Sequence, residues 1–416
     1  MKINKILRLL SAALLLASTL GALAQSNRSP YSRFGYGLLN DNATSTQRAM
    51  GGVGYAMNSG RQINMMNPAS YAMTDTLTFL FDMGADLSFI NQKDGDAKFN
   101  DKGGGLDYIS MQFPIGKRFG MSLGLLPFSS VGYSFGTKIE NGSSAHEGKG
   151  GINQFNLGFS GRIVKGLSVG FNASYLFGTI YNDSYASVNS STTTQSLFEQ
   201  VMEVRDYHLQ FGVQYSQVFE KRHKATLGFV YTPKKTLLGN TWVQKYDLNA
   251  DAVPDTVGYT SLKNNYGLPE TYGAGLSYEY EGRIFGEVDF TYQPWSKAKY
   301  TSLEGFDDTK LCDRYRVGVG FSIMPAPRKN YLGRITYRLG AYYNRDYIMV
   351  GKNNVRDFGV TLGFGFPLPS TKSVVNLGLE YVNRQATPVA LVKENYFNIT
   401  LGVNFNEVWF FQNKIR

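Results

Sequence analysis

From Leu167 the chain alternates cleanly between two sets of residues. Leu167, Val169, Phe171, Ala173, Tyr175 and Phe177 take one parity, and Ser168, Gly170, Asn172, Ser174 and Leu176 take the other. The pattern returns near the C-terminus, where Phe397, Ile399, Leu401, Val403 and Phe405 alternate with Asn398, Thr400, Gly402 and Asn404. A period of two places the sets on opposite faces of a β-strand. Fourteen such segments can be marked, at about 77–90, 104–115, 118–128, 152–163, 167–178, 204–218, 224–232, 271–280, 284–293, 313–323, 331–343, 357–366, 373–383 and 396–405. Short connections (Gly116-Lys117, 164–166, 219–223, 281–283, 367–372) take turns with long ones (91–103, 129–151, 179–203, 233–270, 294–312, 344–356, 384–395). Alternation over about ten residues, with short turns and long loops in rotation, is the signature of a transmembrane β-barrel. The expected fold class is therefore all-β, a fourteen-stranded antiparallel transmembrane barrel. A soluble β-sandwich also alternates, but nothing in it obliges its loops to alternate long and short.

The N-terminus adds an address. Lys2, Lys5 and Arg8 precede a short apolar run from Leu9 to Leu20, and Ala22-Leu23-Ala24 supplies small residues for cleavage. Residues 1–24 thus read as a signal peptide cleaved near Ala24. A membrane anchor would need a longer run, unbroken by Ser11, Ser18 and Thr19. Only helices and closed barrels satisfy every backbone group inside lipid, and no later stretch is apolar enough for a spanning helix. The expected location is the outer membrane.

Composition sharpens this without redirecting it. Gly 46, Tyr 28 and Phe 28 are high together. Phe89, Phe113, Phe128, Tyr231, Tyr280, Tyr292, Phe366 and Tyr381 stand at segment ends, where interfacial girdles would lie. Trp409-Phe410-Phe411 would sit at the periplasmic boundary. The formal charge of +10 is spread along the chain, so no clustered face points to nucleic acid. Cys312 is the single cysteine, which excludes an intrachain disulfide and the spacings of zinc or redox motifs.

Residues 31–76 do not read as strand. They carry Arg48-Ala49-Met50-Gly51-Gly52-Val53-Gly54 and then Asn67-Pro68-Ala69-Ser70. A glycine-rich segment followed by Asn-Pro-Ala before the first strand resembles the long-chain fatty-acid transporter family of outer-membrane proteins (FadL/TodX type). Further matches follow in order: Gly120 to Gly124 leading to Pro127-Phe128, Thr226 to Pro233, Leu268-Pro269 through Tyr278, and Asp289 to Trp295-Ser296. The end, from Lys393 to Trp409-Phe410, is similar to branches found in Bacteroidetes. The resemblance implies fourteen strands from residue 77 to 416 around a hatch at 25–76 that includes Asn67, Pro68 and Ala69. It also implies a kink in the third strand, for which Gly124 and Pro127 are the candidates, opening a lateral exit through the wall. Against that stands the bland reading that Pro127 merely ends its strand. Asn67-Pro68-Ala69 could likewise be a plain turn. The sequence departs from the family in its short polar stretch from Glu140 to Gly151 and in lacking a recognisable acyl-binding pocket.

Parity places Glu279, Glu287, Asp289, Arg314, Arg316, Arg334, Arg338 and Glu380 inside the barrel. They are expected to form a cross-strand ionic lattice, either a translocation path or a network that fills the lumen and holds the hatch. Asp247, Asn249, Asp251 and Asp255 space their oxygens like a calcium loop. Ala252 replaces the turn glycine, however, and Gly258 stands where a bidentate Glu belongs, so an acidic solvated loop is the competing reading. His146, His208 and His223 are too scattered for a metal or general base. No nucleophile motif is present, so no enzyme and no cofactor are expected. Two functions follow: uptake of hydrophobic, fatty-acid-like molecules, or a non-transporting subunit of an outer-membrane secretion or barrel-assembly complex. The expected partners are outer-membrane lipid with a hydrophobic ligand or a protein complex, and no nucleic acid.

Overall fold

A computed structural model describes residues 29–139, 142–188, 195–248, 254–303, 306, 309–326, 330–369 and 371–408. The predicted signal peptide and the Trp409-Phe410-Phe411 end lie outside the described residues. Fourteen antiparallel strands form the wall: β1 (Thr78–Asp94), β2 (Ala97–Ile115), β3 (Phe119–Ile139), β4 (Gly142–Val164), β5 (Leu167–Val188), β6 (Gln195–Phe219), β7 (His223–Thr232), β8 (Thr271–Tyr280), β9 (Ile284–Gln293), β10 (Arg314–Ile323), β11 (Thr336–Val350), β12 (Asn353–Pro367), β13 (Val374–Thr387) and β14 (Lys393–Val408). The first and last strands pair from Thr78↔Val408 to Lys93↔Lys393, which closes the barrel and excludes the sandwich.

The alternation does what its parity requires. Phe155, Leu157, Phe159, Phe171 and Tyr175 are exposed on the outside, whereas Gln154, Asn156, Ser160, Asn172 and Ser174 are buried within. Loop lengths differ more from expectation. Most of 129–151, 179–203 and 233–270 is strand, because β3 to β6 continue well past the apolar belt. A hairpin of 239–248 and 254–263 extends that sheet by pairing with the upper half of β6, from Gly239↔Val204 to Leu248↔Gln195. Beyond the belt neither face need be greasy, so the period-two signal fades while backbone pairing goes on.

One seam interrupts the wall. β2 and β3 pair only from Ile109↔Leu125 to Ile115↔Phe119. Above that point the pairing of β3 with β4 shifts register between Pro127 and Ser129, as a ring with no N–H to donate would impose. The free edge of β3 is met instead by the N-terminal segment, with Leu38↔Ser130 and Leu39↔Ser129 paired. The Asn40 N–H adds a bond to Phe128 O at 3.0 Å, and the Ser29 N–H one to Gly132 O at 2.7 Å. The same bulge turns Phe128 away from the expected outer girdle and onto the interior core.

Residues 29–76 fill the lumen. Their helix Ser45–Arg48 begins in a reciprocal cap between Thr44 and Gln47. The 3₁₀ turn Pro68–Met73 starts at Asn67, whose side chain accepts from the Ala69 N–H at 3.1 Å and donates to Tyr55 O at 2.7 Å. Wall glycines let this segment approach backbone to backbone. A Cβ on Gly228 would lie 1.9 Å from Tyr55 O, and one on Gly340 would lie 2.2 Å from Gly51 N.

Candidate functional site

The short-turn half of the lumen is where wall charge meets hatch backbone. Glu287 and Asp289 stand two apart on β9, both buried. Asp289 accepts from the Gly54 and Tyr55 N–H groups at 2.6 and 3.0 Å, and Glu287 accepts from the Ala56 N–H at 2.5 Å. On β10, Arg316 donates to Gly52 O at 3.2 Å and Gly51 O at 2.9 Å. Three neighbouring wall groups thus hold both the donors and the acceptors of one hatch turn, residues 51–56. Charge-assisted bonds of this kind are about twice as strong as neutral ones.

A second set of charges forms a rail around the lumen. Asp41 of the hatch bridges Arg314 and Arg316, each at 3.1 Å. Arg314 donates on to Asn344 at 3.0 Å, and Asn344 to Asp357 at 3.0 Å. Asp357 receives Arg384 through two bonds, of 2.7 and 3.2 Å. Arg384 lies 3.8 Å from Glu394, which accepts the Ser29 hydroxyl at 2.9 Å and so returns to the hatch. Burial pushes the Asp41 carboxyl up, but the Arg316 and Arg314 guanidiniums outweigh it and hold it at about 2. Beside the seam lies a cavity of about 390 Å³ with a mixed lining: Leu38, Leu39, Leu106, Pro127, Val382 and Tyr396 on one hand, and Asp41, Arg48, Asp107 and Arg384 among its charged groups on the other. Arg48 binds Asp107 at 2.7 Å there.

The long-loop half of the lumen is greasy and closely packed. Tyr31, Phe34 and Tyr36 of the hatch pack with Trp295, Tyr347, Leu176, Ile180 and neighbours in one buried cluster. Trp295 and Tyr347 rings lie 4.4 Å apart, and Tyr36 reaches Gly267 O through its hydroxyl at 3.0 Å. The packing leaves a cavity of about 100 Å³ there, bordered by Leu39, Met66, Phe128, Leu268 and Trp295 together with Asp41, Gln154 and Arg314.

The predicted residues divide accordingly. Asn67, Pro68 and Ala69 lie in the lumen, and Gly124 faces Met65 of the hatch, where a Cβ would come within 2.5 Å of its methyl. The expected cross-strand lattice of Glu279, Glu287, Asp289, Arg314, Arg316, Arg334, Arg338 and Glu380 does not form among those residues. Asp289 pairs in register with Gly318, and Glu287 with Gly320, so hatch fits between the acids and the arginines higher on β10. Glu380 accepts from Tyr342 and Asn398 at 2.8 Å each, and Glu279 lies 3.6 Å from Lys224. Arg334 belongs to a one-turn helix (Tyr331–Arg334) rather than to β11, whose strand starts two residues later. Of the calcium-loop candidates, Asn249 and Asp251 lie outside the described residues, nothing is described of the Asp255 side chain, and Asp247 accepts from Ser196 at 2.7 Å. No group of three or more His, Cys, Asp or Glu side chains converges for a metal among the described residues.

Sequence reasoning missed Asp41, Arg48, Asp107, Asp357, Arg384 and Glu394. Asp107 was hidden by a register shift between Gly84 and Ala85 that breaks parity across β1 and β2. Arg384 and Glu394 fell in a stretch read as loop, although the alternation of β13 continues into it.

The BamG family model matches residues 3–416. No curated protein matches the chain. Among solved structures, the chain is similar to the CymD monoaromatic hydrocarbon channel, with 15% identity over 89% of this chain and 99% of that one at a TM-score of 0.59. It is similar to the toluene transporter TodX of P. putida, with 13% identity over 89% and 100% at a TM-score of 0.61. It is also similar to a FadL homologue of Pseudomonas aeruginosa, with 11% identity over 88% and 99% at a TM-score of 0.61. At such identities the likeness establishes a shared fold, which is that of the FadL type expected from the sequence.

Proposed function

The chain belongs to the BamG family, and from that premise we propose that it is an outer-membrane barrel serving as a non-transporting subunit of a secretion or barrel-assembly complex. The observation that carries this reading is the filled lumen. Aromatic side chains crowd the long-loop end, the hatch is held in the short-turn half at both donors and acceptors, and the cavity at the seam carries ion-paired charges such as Arg48 with Asp107 among its lining. The exposed outer belt suits lipid, and two of the solved structures that share this fold are named a monoaromatic hydrocarbon channel and a toluene transporter. The tall wall of β3 to β6 then stands outside the membrane as a surface for partners.

A second reading, uptake of hydrophobic molecules with lateral exit, is favoured by one feature: the seam between β2 and β3 at the Pro127 bulge, flanked by Leu38, Leu39 and Leu106. Two measurements separate the readings. Extraction from native membranes in mild detergent is expected to yield stoichiometric protein partners, while a deletion strain takes up toluene and oleate at the parental rate. Loss of uptake in that strain, with the barrel purifying alone, overturns the subunit reading and supports transport.

A further inference from the structure

At the short-turn end lies a cavity of about 400 Å³ between the hatch and strands β8 to β14. Its charge is one-sided. Arg61, Arg283, Arg334, Arg338 and Lys372 line it, against the single carboxylate Glu279, which is already engaged with Lys224. Arg283 is also spoken for, since it donates to Met324 O and Pro325 O and lies 3.9 Å from Glu281. The other four cations come from four places: the hatch, the helix Tyr331–Arg334, β11 and the turn between β12 and β13. Among the described residues none of the four has a carboxylate within ion-pair distance.

Arg338 is the telling member. It is only 3 % exposed, yet its one hydrogen bond is from Nη1 to Asn376 Oδ1 at 3.0 Å. The rest of its guanidinium lies over Gly365, where a Cβ would come within 2.9 Å of both terminal nitrogens. The nearest carboxylate acting on it, Asp82 on β1, is engaged with Tyr108 and Asn404 and makes no ion pair with Arg338, and a buried charge without a direct ion pair is costly. Elsewhere in this lumen that cost is offset, as Arg48, Arg314, Arg316 and Arg384 each meet a carboxylate. Among the fully buried arginines described, Arg314 and Arg316 meet Asp41 and Arg338 meets no carboxylate directly.

The geometry points to an oxyanion-binding site here, of the size and charge for a phosphoryl group, with Arg338 at its base and Arg61, Arg334 and Lys372 around its mouth. A planar guanidinium fork below and flexible cations above suit the several oxygens of a tetrahedral phosphoryl oxyanion better than a lone carboxylate. Free phosphate and the phosphoglycerol headgroup of a lipid share this chemistry, and the site is independent of whether the barrel transports or assembles.

Purified full-length barrel in a neutral detergent, in Hepes and sodium chloride, would be titrated calorimetrically with inorganic phosphate and, separately, with dihexanoyl phosphatidylglycerol. At least one probe is expected to bind saturably with one site per barrel. Binding by phosphate alone identifies a soluble anion as the ligand, and tighter binding of the lipid identifies the headgroup. Arg334→Gln and Lys372→Gln, both at exposed positions, should each weaken that binding about fivefold, the size of one exposed charge contact. Arg338→Met should abolish it; heat-modifiable gel mobility checks that this barrel still folds. Absence of saturable binding with both probes, or affinity unchanged in the Arg334→Gln/Lys372→Gln double variant, overturns the site.

Discussion

Single residues decide how tightly the hatch is seated, and two of them make opposite kinds of demand. Gly228 is needed for what it lacks. Alanine there would set a methyl 1.9 Å from Tyr55 O and 2.9 Å from Ala56 N, so the turn that Glu287 and Asp289 hold would have to move. Overpacking of this sort costs about 1–3 kcal/mol. Gly228→Ala should therefore speed proteolysis near residue 55 while the barrel keeps its heat-modifiable mobility. Gly286→Ala, whose methyl would find its nearest neighbour at 3.9 Å, should leave proteolysis unchanged. Asp41 is needed for its charge. Its folded value of about 2 lies below the ordinary 3.8, so it contributes stability above about pH 4 that fades as pH falls through 2. Partial exposure brings that contribution to about 1–2 kcal/mol. Hydrogen exchange of residues 40–48 should rise steeply between pH 4 and 2 in the native chain. Asp41→Asn should show faster exchange already at pH 7 and a flatter profile below.

At the scale of elements, parity made the apolar half of each strand legible and left the upper half unread. Leu167 to Phe177 announces its faces because lipid demands grease on one side. Tyr181 to Val188 continues the same strand where no solvent makes that demand, so it reads as loop. The site was legible in part for the same reason. Glu287, Asp289, Arg314 and Arg316 could be placed inside by counting in twos, but their partners are hatch atoms that no wall pattern names. The strand extension also carries a strain of its own. Glu147, Asp183 and Glu199 stand directly opposite one another on β4, β5 and β6. Like charges so placed repel. Burial, Glu199 and Glu147 push the Asp183 carboxyl up to about 6, with Lys149 opposing. A raised carboxyl value means the folded extension binds its proton more tightly than the open chain, so its stability falls as pH rises from about 4 to 6. Asp183→Asn removes that liability. Amide exchange across 179–187 should be slower in the variant at pH 7.5, with the difference shrinking to nothing near pH 4. Equal rates at pH 7.5 would show that the row is relieved some other way.

For the whole molecule the wall and its filling are separable in principle, and that separability can be tested. Every wall strand pairs with its neighbours through its own backbone, from β1 round to β14, and among the described residues the seam above Leu125 is the one place where hatch residues join the ladder. The filling is held by lumen groups: the carboxylates of β9, the arginines of β10, and the aromatic cluster around Trp295. Removing residues 29–76 would strip the lumen of its apolar cluster members Tyr31, Phe34 and Tyr36 and of the turn that Glu287 and Asp289 hold. A fourteen-stranded wall left with a polar interior fills with water, as porin interiors do. In planar bilayers the intact chain is expected to give no steady conductance. The variant lacking 29–76 is expected to give long-lived ion-conducting steps, provided gel mobility shows it still folds as a barrel. Glu287→Ala with Asp289→Ala, which leaves the hatch attached but unlatches one turn, should flicker between the two levels. Steady conductance from the intact chain would mean that the lumen is not sealed, and the case for a non-transporting barrel would fall with it.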